Sequence, residues 1–454
     1  MKASNYNYFL KYKDGNYYGY NFLYRSLIRL PESMYDEVST LLTNPNNYLD
    51  CSNIQEDKSD WIKHLQKVKF IVSDDVSEID VIKHFYYKNL YASDSLFMTI
   101  LPTLACNLNC PYCFEYKKPI HMKADIEDAI MSWLEKYFNK KRFVHIAWFG
   151  GEPTLRKETI YNLSNRIKTF CNENKTEYKA SMTTNGTLMD QEFLYKVNDL
   201  SITHIQVTFD GGKKFHDQSR CTPKGVGSFD KIIENLVLFC NTVDKDKCNL
   251  SIRVNCSDEN YDSMEDLLDS IPSMVRSRAT IFFRWIFDNE ASAERGFENF
   301  SNTKQGGDYF LGLRALGDKA RDKGFNVVDS FISKGFNFCE VDFRDQFTIY
   351  PDGKVFWCNL KDTEKDIIFN IKENILPDDT RSDTLSFYSK WMSTGPFSDD
   401  KCLSCNILPV CLGGCRKQRY EGNPNCMVGH STLPFLVETL IAEKLTMRGE
   451  ATRG

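Results

Sequence analysis

Short apolar runs of strand length alternate with amphipathic stretches between residues 96 and 300 of this 454-residue chain. Leu96-Phe97-Met98-Thr99-Ile100-Leu101 reads as a strand, and residues 123–138 as a helix. Further strands are expected at 143–149, 178–184, 203–209, 250–255 and 280–287, with helices at 157–172 and 229–243. Polar or glycine-rich signals close several strands: Gly150-Gly151-Glu152-Pro153, Asn185-Gly186-Thr187 and Asp210-Gly211-Gly212. Six such β-α units predict an α/β fold with a parallel barrel, complete or partial. Its active site is expected at the C-terminal ends of the strands.

Outside that region the patterns change. Two strand-like runs, 8–12 and 16–20, flank the turn residues Lys13-Asp14-Gly15 and predict a hairpin. Helices are expected after Pro31, with Met34, Val38, Leu41 and Leu42 on one face, then at 59–68 and 80–90. A hairpin with three helices suggests a small winged-helix-like domain over residues 1–95. Its free strand edge could take up an extended peptide. The plainer reading is a packing extension of the main domain. Residues 301–338 carry no decisive motif; 311–323 looks helical and serves as a bridge. A last amphipathic helix is expected at 433–445, within a C-terminal helix and tail of residues 431–454.

Charge narrows the partners. A net charge of −5 gives no electrostatic reason to expect nucleic acid. The N-terminus lacks an apolar signal region, and no run reaches membrane-spanning length. Sixteen cysteines in such a chain argue for metal binding in a reducing, cytoplasmic setting rather than for disulfides.

Cys106, Cys110 and Cys113 follow the first barrel strand at a CxxxCxxC spacing. Three thiolates can hold three corners of a four-iron cluster and leave the fourth iron open to a ligand. A zinc knuckle or three unconnected thiols are the alternatives, although no His follows at a zinc-finger interval. A second group begins at Cys339, with Gly353 after thirteen residues and Cys358 after four more. Pro351-Asp352-Gly353 predicts a hairpin turn with the two cysteines on adjacent strands. Cys402, Cys405, Cys411, Cys415 and Cys426 complete the pattern CX13GX4C…CX2CX5CX3C…C. A zinc ribbon on Cys402, Cys405, Cys411 and Cys415 would leave the other three unexplained. Cys51, Cys171, Cys221, Cys240, Cys248 and Cys256 read as buried small apolar side chains.

These motifs together resemble the radical SAM superfamily over roughly residues 96–300, whose members carry a CxxxCxΦC loop after the first strand of a partial (β/α)6 barrel. The cysteines over 339–430 are similar to its SPASM extension. The resemblance implies a 4Fe–4S cluster on Cys106, Cys110 and Cys113, with S-adenosyl-L-methionine chelating the open iron. One electron then cleaves the sulfonium to give a 5′-deoxyadenosyl radical, which takes hydrogen from the substrate. It further implies cofactor contacts by Tyr112 on the adenine, Gly150 and Gly151 at the methionine end, and Glu152 on its ammonium. Thr208 and Arg220 stand where relatives place a Ser and an Arg at the cofactor. By the same resemblance, Cys402, Cys405, Cys411 and Cys426 hold one auxiliary cluster, and Cys339, Cys358 and Cys415 hold three irons of another, making three 4Fe–4S clusters in all.

Two departures bear on function. Sulfatase-maturing relatives complete that last cluster with a Cys at the position of Ser333, and carry a basic Asp where this chain has Asn359, which cannot take a proton at neutral pH. The expected activity is therefore modification of a ribosomally made precursor peptide with a leader, installing a thioether or a carbon–carbon or carbon–oxygen cross-link. An external donor such as flavodoxin or ferredoxin would supply electrons. The alternatives are a formylglycine-forming anaerobic sulfatase maturase and a non-enzymatic iron–sulfur electron carrier. Asp210, Arg253, Arg284 and Asp342 are candidate substrate contacts. Arg253 and Asn255, two apart on one strand, are expected to point the same way.

Overall fold

The computed structural model describes residues 1–43, 56–92, 94–138, 140–286, 307–328, 339–359, 364–377, 384–422, 424, 426 and 433–447. These divide into two compact units. One comprises the described residues of Met1–Tyr91, Phe331–Cys339 and Ser393–Gly454; the other comprises those of Ala92–Ser330 and Glu340–Met392.

The first unit opens with β1 (Lys2–Ala3), β2 (Asn7–Lys11), β3 (Tyr17–Asn21) and β4 (Ser26–Leu30), then α1 (Glu32–Thr43), α2 (Glu56–Lys67), β5 (Ile71–Val72) and α3 (Glu78–Leu90). The expected hairpin is present as β2–β3, with Tyr8 opposite Tyr20. Gly15 takes φ +81° in its turn, the left-handed conformation that only glycine adopts without strain. Sequence patterning had not separated β4, which pairs antiparallel with β3. Strands and helices bury Ile28, Leu30, Val38, Leu42, Leu65 and Phe70 in one core.

The second unit runs β6 (Ser95–Ile100), α4 (Ala124–Tyr137), β7 (Phe143–Trp148), α5 (Lys157–Glu173), β8 (Glu177–Thr184), α6 (Gln191–Lys196), β9 (Ile202–Phe209), α7 (Lys213–Ser219) and α8 (Phe229–Thr242). It continues with β10 (Asn249–Cys256), α9 (Met264–Ser270), α10 (Ser273–Arg278), β11 (Ala279–Trp285), α11 (Gly307–Asp322), β12 (Asn326–Val327), β13 (Gln346–Ile349), β14 (Lys354–Phe356), β15 (Phe369–Asn370) and α12 (Thr384–Ser393). The six expected strands lie side by side in chain order, all parallel. Parallel neighbours joined by helices place every strand's C-terminal end on one edge of the sheet. The sheet is longer than patterning suggested: ten described strands in the order β12-β11-β10-β9-β8-β7-β6-β13-β14-β15, with β12 and β15 at its ends.

The addition of β13 was not foreseen. It pairs in parallel with β6, so Gln346–Ile349 joins the central sheet, and the span 339–430 is shared between the two units. The β13–β14 turn is the expected hairpin at Pro351-Asp352-Gly353, with Gly353 at φ +89°. The cysteines do not sit on its strands, however. Cys339 precedes a short 3-10 turn, Glu340–Asp342, and Cys358 lies just past β14. A buried ion pair fixes the new strand: Lys141 Nζ and Asp345 meet with 4% and 2% side-chain exposure, and Tyr137 donates to Asp345 Oδ1 at 2.6 Å. The first unit ends with α13 (Asp400–Leu403), α14 (Leu408–Cys411), α15 (Arg416–Tyr420) and α16 (Leu433–Met447). Among the described residues no helix is long and apolar enough to cross a membrane.

Asp345→Ala removes the carboxylate that the buried Lys141 ammonium meets. It is expected to cost about 3–5 kcal/mol, read as a lower urea midpoint. The double variant Lys141→Met/Asp345→Leu is expected to recover part of that loss; an unchanged midpoint in the single variant would contradict the account.

Candidate active site

The cysteine loop leaves β6 and lies against the end of β7. Gly151 N–H donates to Thr103 O at 3.1 Å and Glu152 N–H to Ala105 O at 2.9 Å. A Cβ on Gly150 would come within 2.4 Å of Thr103 O, and one on Gly151 within 2.3 Å of Ala105 O. Both glycines are therefore required by the approach of the loop backbone. Glu152 is 1% exposed and accepts from Thr184 Oγ1 at 2.7 Å, Asn185 N–H at 2.7 Å, Thr154 N–H at 3.1 Å and the Thr154 hydroxyl. Four donors take up the acceptor sites of a carboxylate, so its local role is to cap the turn Pro153–Arg156 and join the ends of β7 and β8. Burial pushes its carboxyl upward, against those donors.

Asn185, flagged only as a strand-end signal, holds the loop from the other side. Its amide donates to Asn107 Oδ1 at 2.8 Å and reaches Cys106 Sγ at 3.8 Å, while Asn107 donates to Thr187 Oγ1 at 2.8 Å. The loop is also tied to α7's exit, since Asn109 N–H donates to Cys221 O at 2.7 Å. Cys110 is buried, and Cys106 and Cys113 are half-buried. Burial, and then the Glu152 carboxyl, push the Cys106 thiol up to about 12; burial also raises Cys110. Without a bound cation, free thiolates are disfavoured at Cys106 and Cys110. Among the described residues no three His, Cys, Asp or Glu side chains converge tightly enough to enclose a single metal ion. Cluster cysteines bind different irons and stand farther apart.

Asp210, at the end of β9, is fully buried and collects four side chains. Tyr112 donates to its two oxygens at 2.7 and 2.6 Å, Ser219 Oγ at 2.6 Å and Asn255 Nδ2 at 3.2 Å; Arg220 Nη1 stands 3.8 Å away. Asp210, a candidate substrate contact by sequence, is thus engaged within the protein. Arg220 Nη1 also donates to Tyr112 at 2.7 Å. Burial and Asp210 keep the phenol protonated, against the pull of Arg220. His216 packs behind this cluster. Its Nδ1 accepts from Asp210 N–H at 3.4 Å, so its Nε2–H faces Ser228 Oγ at 3.0 Å, and Ser228 donates to Arg220 O at 2.6 Å. Burial holds the imidazole well below its usual range, neutral as this chain of bonds requires.

Arg220 Nε is buried without a partner. A buried, unpaired guanidinium N–H fits a ligand carboxylate, which makes the cluster compatible with the methionyl end of S-adenosylmethionine. Thr208 is buried on β9, in register with Arg253 of β10. Arg253 and Asn255 do share a side, since Arg253 Nε donates to Asn255 Oδ1 at 2.9 Å. Asp342 is buried in its 3-10 turn, and Arg284 on β11 donates to Phe283 O at 2.9 Å.

In the first unit, burial and then the neighbouring Cys426 and Cys402 raise the Cys405 and Cys411 thiols, so these four cysteines lie in one neighbourhood. Cys339 and Cys415 belong to that unit and Cys358 to the other. Cys171, Cys248 and Cys256 are buried as expected, whereas Cys221 and Cys240 are only half-buried, turning Sγ to Gln218 O and Met274 O. Cys51 and Ser333 lie outside the described residues, and Asn359 is half-buried.

The family model for the radical SAM superfamily matches residues 100–271. The cysteine-type anaerobic sulfatase-maturating enzyme of Clostridium novyi is 26% identical over 368 residues, 73% of this chain and 90% of that protein. The solved structure of anSMEcpe with bound AdoMet and Cp18Cys peptide superposes with TM-score 0.59 at 19% identity, covering 78% of this chain and 98% of that one. Streptococcus suis SuiB bound to precursor peptide SuiA superposes with TM-score 0.50 at 18% identity, covering 95% of this chain and 100% of that one.

Gly151→Ala puts a methyl group into the Ala105 carbonyl. The variant is expected to retain less iron than the parent after anaerobic reconstitution; full retention would show that the loop does not need this contact.

Residues 100–271 form a radical SAM domain, of the superfamily that uses S-adenosylmethionine and a 4Fe–4S cluster, and the chain is similar to anaerobic sulfatase-maturating enzymes and to radical SAM peptide cyclases.

Proposed function

We propose that this enzyme modifies a ribosomally made precursor peptide, removing hydrogen and installing a thioether, carbon–carbon or carbon–oxygen cross-link. The observation that carries the reading is the reach of the likeness to peptide-bound SuiB. It covers 95% of this chain, against 78% for anSMEcpe, and so takes in more of the chain than the maturase does. S-adenosylmethionine with a reduced cluster on Cys106, Cys110 and Cys113 supplies the hydrogen-abstracting chemistry.

The protein's own groups bind, orient and exclude. Arg220 offers its unpaired Nε–H to the cofactor carboxylate. Tyr112, pinned through its hydroxyl by Asp210, Arg220 and Asn255, presents a fixed ring to the adenine. Thr208 stands on the neighbouring strand end. Gly150, Gly151 and Glu152 shape the floor against which the loop rests. The apolar strands beneath this edge keep water from below. Three clusters are proposed, on Cys106, Cys110 and Cys113, on Cys402, Cys405, Cys411 and Cys426, and on Cys339, Cys358 and Cys415. A flavodoxin or ferredoxin serves as electron donor, and the first unit takes the leader peptide.

The likeness to the Clostridium novyi protein favours a second reading, formation of formylglycine on a sulfatase. Asn359 counts against it, because an amide is no base at neutral pH.

The test is anaerobic incubation of reduced enzyme and S-adenosylmethionine with a candidate precursor peptide, a short peptide sought among the neighbouring open reading frames. A loss of about 2 Da, two hydrogens, is expected by mass spectrometry, and none with Cys106→Ala. An untouched peptide together with conversion of a sulfatase Cys to formylglycine would establish the second reading instead.

A further inference from the structure

Arg419 on α15 has only 9% of its side chain exposed. Its Nη2 donates to the Gly413 carbonyl and stands 3.8 Å from Cys402 Sγ, while Nη1 lies 3.7 Å from Asp399 Oδ2. Asp399 Oδ2 is itself 3.7 Å from Cys402 Sγ, and Oδ1 accepts from Lys401 N–H at 2.9 Å as the cap of α13. Gly413 takes φ +85°, and a Cβ there would strike Arg419 Nη2 at 2.3 Å, so the glycine makes room for the guanidinium. A buried cation and a carboxylate thus flank one cysteine of a group of four.

We propose that Arg419 and Asp399 are an opposed pair of positioning residues that sets the reduction potential of an iron–sulfur cluster held by Cys402, Cys405, Cys411 and Cys426. The inference rests on the auxiliary cluster of the proposed function. Its physics is electrostatic. One-electron reduction adds negative charge that is shared between the irons and their thiolates. A guanidinium hydrogen-bonded to one thiolate stabilises the reduced form more than the oxidised form and raises the potential. A carboxylate at the same sulfur acts in the opposite sense. Arg419 also partly offsets the Asp399 charge, 3.7 Å from its Nη1, so each residue's effect is read with the other in place.

Anaerobic redox titration of the full-length reconstituted protein, followed by electron paramagnetic resonance, tests this. Arg419→Gln is expected to move one cluster midpoint to lower potential, and Arg419→Lys to restore much of it. Asp399→Asn, which still caps Lys401 N–H, is expected to move the same midpoint upward, with iron content unchanged. Midpoints that stay fixed, or that shift in one direction in both variants, overturn the proposal. If Arg419→Gln loses iron, Asp399→Asn decides alone: an upward shift supports the pair and no shift overturns it. Parent protein holding only about four irons per chain, one cluster's worth, would remove the auxiliary cluster and the proposal together. A full iron count with unmoved midpoints would overturn only the proposal.

Discussion

Two backbone hydrogen bonds between residues 103–105 and 151–152 settle where the cysteine loop lies. They form only because Gly150 and Gly151 present no side chain at a distance where any Cβ would collide with a carbonyl. Once the loop is seated, Asn185 reaches Asn107 and Cys106, Glu152 caps its own turn and binds the end of β8, and the hydroxyl of Tyr112 arrives at Asp210. Each contact draws on a different strand end. A parallel sheet brings those ends together from residues up to 98 positions apart.

Asp210 is the electrostatic centre of that edge. A buried carboxylate is costly unless hydrogen bonds replace its water, and here Tyr112, Ser219 and Asn255 do so. The neutral His216 extends the same framework backwards, from the Asp210 amide through Ser228 to the Arg220 carbonyl. Arg220 is thereby fixed at both its backbone and Nη1, while its buried Nε has no partner within the protein. A guanidinium held this way loses little freedom on binding a carboxylate.

The six central strands are legible because buried and more exposed positions alternate along them, and several end in a glycine or polar signal. The 106–113 segment is legible by cysteine spacing alone. The pairing of β13 with β6 was not, since Gln346 meets Phe97 across almost 250 residues and no local periodicity encodes a partner that distant. Ser26–Leu30 is a five-residue strand with a polar position near its end, too short for alternation to show. The site's missing members, Asn107, Asn185, Ser219 and His216, are ordinary polar residues whose roles arise only when loops meet. Gly150 and Gly151, expected at the methionine end of the cofactor, also accommodate the protein's own loop backbone.

The proposed activity reduces to one event, removal of a hydrogen from a peptide by a radical generated at the cysteine loop. The most direct measurement uses precursor peptide deuterated at its carbon positions, with mass spectrometry of the 5′-deoxyadenosine released on reaction with reduced enzyme. Deuterium in that product, in proportion to peptide modified, is the expected result. 5′-Deoxyadenosine free of deuterium while the peptide is modified would contradict the account.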